Sequence, residues 1–193
     1  MVRPIEFEET KVLAGAMRCF WKQGYAATSM RDLEKVTGLS TGSIYNSFGN
    51  KDGLFVRALD HYVETIINRR IEVFLNQDNA KRGILDFFED CLDKPDSVRE
   101  LGCLLVNTSV ENHLHSQDVR EKMKLAHKKV TRALQDTVVR GLENKQIFTN
   151  RTPDQVAQHL AMLLSGLLVR LRYDHETDWH KGTLELVSNL LNN

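Results

Sequence analysis

The chain is broken three times in its first fifty residues, at Gly24, Gly38 and Gly49-Asn50, and each break is followed by a residue suited to open a helix. Glycine ends helices because it takes the left-handed C-terminal conformation without steric cost. Thr28 or Ser29 opens the second segment, and Asp32 stands three residues after Ser29, the spacing of a capping box. Ser40 and Asn50 are the next N-caps. Between the breaks, apolar residues recur at helical spacing. Val12, Leu13, Ala16, Met17, Phe20 and Trp21 mark a helix from Glu6 to Gly24; Met30, Leu33 and Val36 mark a short second one. Ile44 and Phe48, one turn apart, give the inner face of a third helix running from Ser40 through Ser47. Three short helices with a tight turn at Thr37-Gly38-Leu39-Ser40 form a helix-turn-helix unit.

The remaining sequence is also helical. Only 3 of its 193 residues are proline, and two of these, Pro4 and Pro153, stand where helices begin. Asn50 caps a long helix from Lys51 to about Asn76, with Leu54, Phe55, Ala58, Leu59, Tyr62 and Ile66 on its inner side and Phe74 a further candidate there. Further helices are expected near 79–93, 101–113, 117–144, 153–174 and 178–192. The expected fold is all-α, with about nine helices. Residues 1–50 form a helix-turn-helix head, and 51–193 form a larger helical domain joined to it through the long helix.

The run Leu160 to Val169 is apolar nearly all round, and such a helix must be buried on every side. In a chain this short that calls for a partner subunit, so a homodimer is expected, with Leu160, Ala161, Leu164, Ser165 and Leu168 at its interface. The same run is too short to span a bilayer, being stopped by Arg170 and Arg172. The N-terminus lacks an apolar signal core, so a cytoplasmic protein without membrane contact is expected. Cys19, Cys91 and Cys103 form neither a disulfide framework nor a CxxC zinc pair.

Lys and Arg together equal Asp and Glu, 26 of each, so any nucleic-acid contact depends on placed groups and not on a basic field. Residues 1–57 carry only a slight excess, eight basic side chains against six acidic. The second helix of a helix-turn-helix shows its N-terminal residues to the major groove of duplex DNA. With Ile44 and Phe48 inward, Thr41, Ser43, Tyr45, Asn46 and Ser47 remain for the outer faces. Asn46 can bond adenine bidentately, and Gly42 admits a close phosphate. The Tyr45 hydroxyl reaches a phosphate oxygen. Thr28, Ser29 and Lys51 lie at helix starts, which favour anions. Arg3, on a short arm, is a further candidate for the minor groove.

The run from Gly24 through Leu33, then Thr37 through Phe55, resembles the DNA-binding domain of the TetR family. The match includes Gly24, Thr28 and Ser29, then Gly38, Ser40, Gly42, Tyr45 and Phe48, then Lys51, Leu54 and Phe55, all in register. Thr41 and Asn46 depart from residues common at those positions, which bears on operator sequence and not on DNA binding. The run Leu101 to Glu111 also resembles a C-terminal pattern of one broad group in the family. The resemblance implies a homodimeric repressor of a double-stranded DNA operator, released when a small-molecule effector fills a C-terminal pocket.

Candidate pocket residues are Phe87, Cys91, Cys103, Val106, Asn107, Val110 and His127, with Phe87 reading as core ahead of ligand contact. Cys103 follows Gly102 near a helix start, where the dipole lowers a thiol pKa, so oxidant or electrophile sensing is an alternative to a reversible ligand. His113 and His115, and Asp174, His175, Glu176, Asp178 and His180, read as solvated helix-end residues, not metal ligands. No metal or other cofactor is expected. No nucleophile elbow, HExxH, phosphate loop or useful carboxylate pair marks an enzyme. A helical ligand-binding protein with a vestigial head is the other alternative.

Overall fold

The computed structural model describes residues 5–174 and 176–192, with the side chains of 5–8 and 112 outside that description. Arg3 and His175 therefore lie outside the described residues. Among these residues the protein is all-helical. The helices are α1 (Ile5–Gln23), α2 (Met30–Thr37), α3 (Thr41–Phe48), α4 (Lys51–Tyr62), α5 (Ala80–Leu92), α6 (Asp96–Arg99), α7 (Leu104–Val110), α8 (Gln117–Glu143), α9 (Pro153–Arg170) and α10 (Asp178–Leu190). The long helix expected from Lys51 is α-helical only to Tyr62 and continues in two π-helical stretches, Val63–Asn68 and Ile71–Leu75. The helix expected over 101–113 is shorter, because Gly102 sits at φ +63°, a left-handed conformation that no helix start can include.

The chain divides into two compact units. One contains the residues up to Ile66 together with Cys103–Ala126; the other contains Ile67–Gly102 and the chain from His127 onward. The head expected to end at residue 50 is thus part of a larger unit. The physical reason lies in α4, whose Leu54, Phe55, Ala58, Leu59 and Tyr62 are all buried. They close the same core as α1, with the Phe20 and Phe55 rings 4.7 Å apart and Trp21 set edge-on to Tyr62 at 5.1 Å.

Within this unit α1 carries the expected stripe inward: Val12, Leu13, Ala16, Met17 and Phe20 are buried. Burying one such side chain contributes about 1.5–3 kcal/mol. Gly15 lets α2 touch α1 with its backbone. A Cβ there would stand 2.5 Å from the Val36 carbonyl oxygen, a distance no carbon tolerates.

In the second unit, α5 packs against the π-helical stretch Ile71–Leu75 and against α10. Thr152 and Gln155 cap α9 reciprocally, with Pro153 in its first turn. Val156, Ala157, Leu160, Leu164 and Leu167 of α9 are buried. No described helix is long and apolar enough to cross a membrane.

Candidate nucleic-acid interface

The head is assembled by its caps. Ser29 opens α2 with the full capping box: its hydroxyl accepts from the Asp32 N–H, and the Asp32 carboxylate accepts from the Ser29 N–H at 2.9 Å. Gly38 ends α2 at φ +73°. Ser40 opens α3, accepting from the Ser43 N–H, and Asn50 opens α4, accepting from the Gly53 N–H at 2.8 Å. Glu34 then ties the two helices of the motif together, because its carboxylate accepts from the Thr41 N–H at 2.5 Å. That bond holds the Glu34 carboxyl below the usual range, as the Ser29 bonds do for Asp32.

With α3 fixed in this way, Ile44 points wholly inward and Tyr45, Asn46 and Ser47 point out. Tyr45 is 48% exposed, unusual for so large a ring with no packing partner. Neither Tyr45 nor Asn46 makes a side-chain hydrogen bond among the described residues. The Thr41 and Ser43 N–H groups are satisfied internally by Glu34 and Ser40, and the Gly42 N–H between them is bonded to no described residue. Gly42 is exposed, and a Cβ built on it would meet nothing nearer than Ser40 Oγ at 3.9 Å.

The expected contact set is therefore sorted. Gly42, Tyr45 and Asn46 share an open face, with Thr41 and Ser43 half-buried beside them. Ser29 is exposed, its hydroxyl committed to the cap. Lys51 is half-buried at the start of α4, 4.3 Å from the centroid of the Tyr25 ring. Burial pushes its ammonium down, while Asp52 and Glu111 pull it back up. The Thr28 side chain turns inward: it is 1% exposed and its hydroxyl donates to the Gly24 carbonyl at 2.6 Å, so it stabilises the turn from within, and only its backbone at the helix start is left as a candidate for a phosphate. Its position ahead of a helix was legible, but the inward rotamer was not.

The seven candidate effector residues fall in both units. Phe87, Cys91 and His127 belong to one, and Cys103, Val106, Asn107 and Val110 to the other. Phe87 and Cys91 do meet: the Arg70 guanidinium lies 4.4 Å from the Phe87 ring centroid and donates to Cys91 Sγ at 2.8 Å. Arg70 is a residue the sequence reading missed, because nothing in the periodicity marks a basic side chain as inward. Its charge is matched by Asp90 at 2.9 Å. Cys103 is buried and accepts from the Tyr62 hydroxyl at 3.4 Å. Val110 is 74% exposed at the end of α7, which removes it from any enclosed pocket.

The expected interface residues of α9 divide similarly. Leu160 and Leu164 are buried in their own unit, because the helix places them on its inner stripe with Val156 and Leu167. Ala161, Ser165 and Leu168 are half-buried. The open face instead carries Met162, Gly166 and Val169. Between α9 and α10 runs an apolar groove of about 470 Å3, lined by Met162, Leu163, Gly166, Leu186 and Leu190 among others. Among the described residues no cluster of His, Cys, Asp and Glu could hold a metal ion.

A buried three-helix support, a fixed α2–α3 turn and an outward polar face on α3 define a helix-turn-helix regulator. Comparison with known proteins gives the family. Residues 12–58 match the family model of bacterial regulatory proteins, tetR family, and residues 81–184 match that of the tetracyclin repressor-like C-terminal domain. The chain belongs to the TetR family and is a DNA-binding transcriptional regulator of that family, not an enzyme. It is 27% identical over 174 residues to the HTH-type transcriptional repressor ComR of Escherichia coli, covering 88% of this chain and 82% of that protein. It is 24% identical to the repressor AcnR of Corynebacterium glutamicum, over 92% of this chain and 88% of that one. Among solved structures, reduced E. coli NemR superposes with a TM-score of 0.86 at 24% identity, covering 96% and 97% of the two chains. A cysteine mutant of CifR, solved with 26 bp double-strand operator DNA, gives 0.77 at 24% identity, covering 98% of each.

Proposed function

We propose that the protein is a homodimeric repressor that reads a double-stranded DNA operator through α3 and is released from it by a small-molecule effector. The observation that carries this is the outward face of α3. Tyr45 and Asn46 stand exposed without internal partners, next to a glycine whose N–H is open and whose small size nothing in the protein requires. Asn46 supplies the donor–acceptor pair that matches adenine in the major groove. Tyr45 and the Gly42 N–H supply phosphate contacts. The names of the relatives support repression, and the operator complex of CifR supports the kind of partner. The apolar groove between α9 and α10, with Met162 62% exposed beside it, suits a second copy of the chain. Two copies then present two α3 helices to half-sites about one helical turn, or a small multiple of it, apart.

The test is a fluorescence-anisotropy titration against the DNA upstream of the protein's own gene and against a selected oligonucleotide pool. Salt-sensitive binding that Tyr45→Ala with Asn46→Ala abolishes, at unchanged thermal stability, is the expected result. Absence of binding to both DNAs sinks the repressor reading and leaves the vestigial-head alternative.

A second reading of the signal rests on the Tyr62 hydroxyl bonded to buried Cys103. Here oxidation or alkylation of that thiol replaces a reversible effector. Equal release of operator by peroxide-treated wild type and Cys103→Ser removes Cys103 from the signal.

A further inference from the structure

Tyr25, in the turn between α1 and α2, is held from several directions. Its N–H donates to Glu111 Oε2 at 2.9 Å, and the Ala26 N–H reaches Oε1 of the same carboxylate at 3.3 Å. Its hydroxyl donates to Asp52, and its ring lies between the Lys51 ammonium and the Phe20 and Phe55 rings. The remaining neighbour is His115, on the segment joining α7 to α8. Its ring meets Tyr25 edge-on at 4.8 Å and stacks on Phe55 at 5.3 Å. His115 is 4% exposed, and neither ring nitrogen has a hydrogen-bond partner among the described residues. The aromatic rings around it offer no such partner, so a polar ring is enclosed here largely by apolar surface, with the Thr108 backbone a polar group acting on it.

Charged groups face the ring from three elements: Glu111 at the end of α7, Asp52 on α4 and Arg120 on α8. Burial holds the imidazole below its ordinary titration range. Glu111 and Asp52 oppose that, the Thr108 backbone acts weakly with them, and Arg120 acts against them. Lys51, over Tyr25, adds a further positive charge to the cluster.

We propose that His115 is a proton-linked positioning residue for the reading head: as an imidazolium it draws the Glu111 and Asp52 carboxylates away from Tyr25, loosening the α1–α2 turn and freeing Lys51. The two carboxylates that could neutralise a charge on His115 are the two that hold Tyr25. A neutral ring leaves them in place. A charged ring in a buried site requires a counter-charge or water, and either one takes the cluster apart. The α1–α2 turn leads directly into α2, and Lys51 opens α4 immediately after α3, so both ends of the helix-turn-helix are anchored here. The effect on operator binding rests on the DNA-binding reading; the proton linkage itself is measured without DNA.

The sign follows from the burial. The unfolded chain takes its proton near the ordinary histidine value of about 6.5, whereas the folded ring resists until lower pH. Stability is therefore constant above that value and falls as pH drops through the interval below it. The experiment compares wild type, His115→Phe and Glu111→Gln by thermal unfolding between pH 8 and pH 5, with the histidine and Tyr25 signals followed by NMR. The proposal expects His115 to titrate below the free histidine value, the Tyr25 and Ala26 amide signals to move with it, and the acid-side loss of Tm to shrink in His115→Phe. Glu111→Gln should lower the His115 midpoint further, which gives a readout if the Phe variant folds poorly. A His115 midpoint at the free value with an unmoved Tyr25 amide overturns the proposal, as does an unchanged acid-side profile in His115→Phe. In an operator titration, wild-type affinity should fall by up to about tenfold per pH unit for each linked proton, so up to about a hundredfold for the proposed dimer with two His115 rings, and His115→Phe should not follow. A head that binds equally above and below the His115 midpoint found by NMR overturns the link to DNA. No binding at pH 7.5 overturns instead the DNA reading on which that link rests, while the NMR result stands by itself.

Discussion

Gly42 occupies the second position of α3, where the protein itself has no use for a glycine. Its backbone is not left-handed and a methyl group there would point into open space. Glycine in a helix costs about 1 kcal/mol relative to alanine, so an external reason has to outweigh that cost. Gly42→Ala should raise folding stability by roughly 0.5–1 kcal/mol in chemical denaturation while weakening operator binding by anisotropy. An affinity equal to wild type would show that no phosphate approaches this backbone. Thr28 is the opposite kind of residue. Its hydroxyl is buried and spent on the Gly24 carbonyl, so Thr28→Val should cost about 1 kcal/mol of stability and leave operator affinity at constant fold unchanged. Both positions belong to the family motif, but Thr28 turns its hydroxyl inward whereas Gly42 leaves its backbone open.

At the level of the element, the caps and glycine stops were legible because a short helix is decided by its ends. Ser29, Ser40 and Asn50 each open the helix expected of them. Ser29→Ala should therefore destabilise the protein by about 1 kcal/mol, read as a shift in the denaturation midpoint. The same cap is sensitive to acid. The Asp32 carboxyl is held below its usual range by Ser29, so its contribution is present above the ordinary carboxylate value and is lost as pH falls through the lowered one. Elements without such signals were harder to read. The four-residue α6 is too short for a periodic stripe, and the π-helical stretches after Tyr62 keep a helical apolar pattern that looks like continuous α-helix. In α9 the apolar run showed that every face needs cover but not which face meets the chain's own core. Leu160 and Leu164 took that side, leaving Met162, Gly166 and Val169 outside. From sequence His115 reads as a solvated residue because it stands at a helix end, but it is buried, and its burial depends on Tyr25 and Phe55, which are distant in sequence.

For the whole molecule, the proposed dimer makes the open face of α9 the place to intervene. A side chain added at Gly166 meets nothing within 4 Å, so Gly166→Arg should leave the helical circular-dichroism spectrum intact. Light scattering should then report a monomer, and operator affinity should drop because a single α3 reads only a half-site. A Gly166→Arg protein that stays dimeric would move the interface elsewhere. Gly15 carries a consequence for anyone who engineers this regulator. Its missing Cβ is what lets the Val36 carbonyl rest against α1, so the seat of the reading unit is cut into a helix outside the helix-turn-helix pair. Transplanting α2 and α3 from a relative to change operator preference would therefore import a carbonyl shaped for another seat unless position 15 travels with it. In a saturation library that position should score as intolerant as Tyr45, for a reason that involves no nucleic acid.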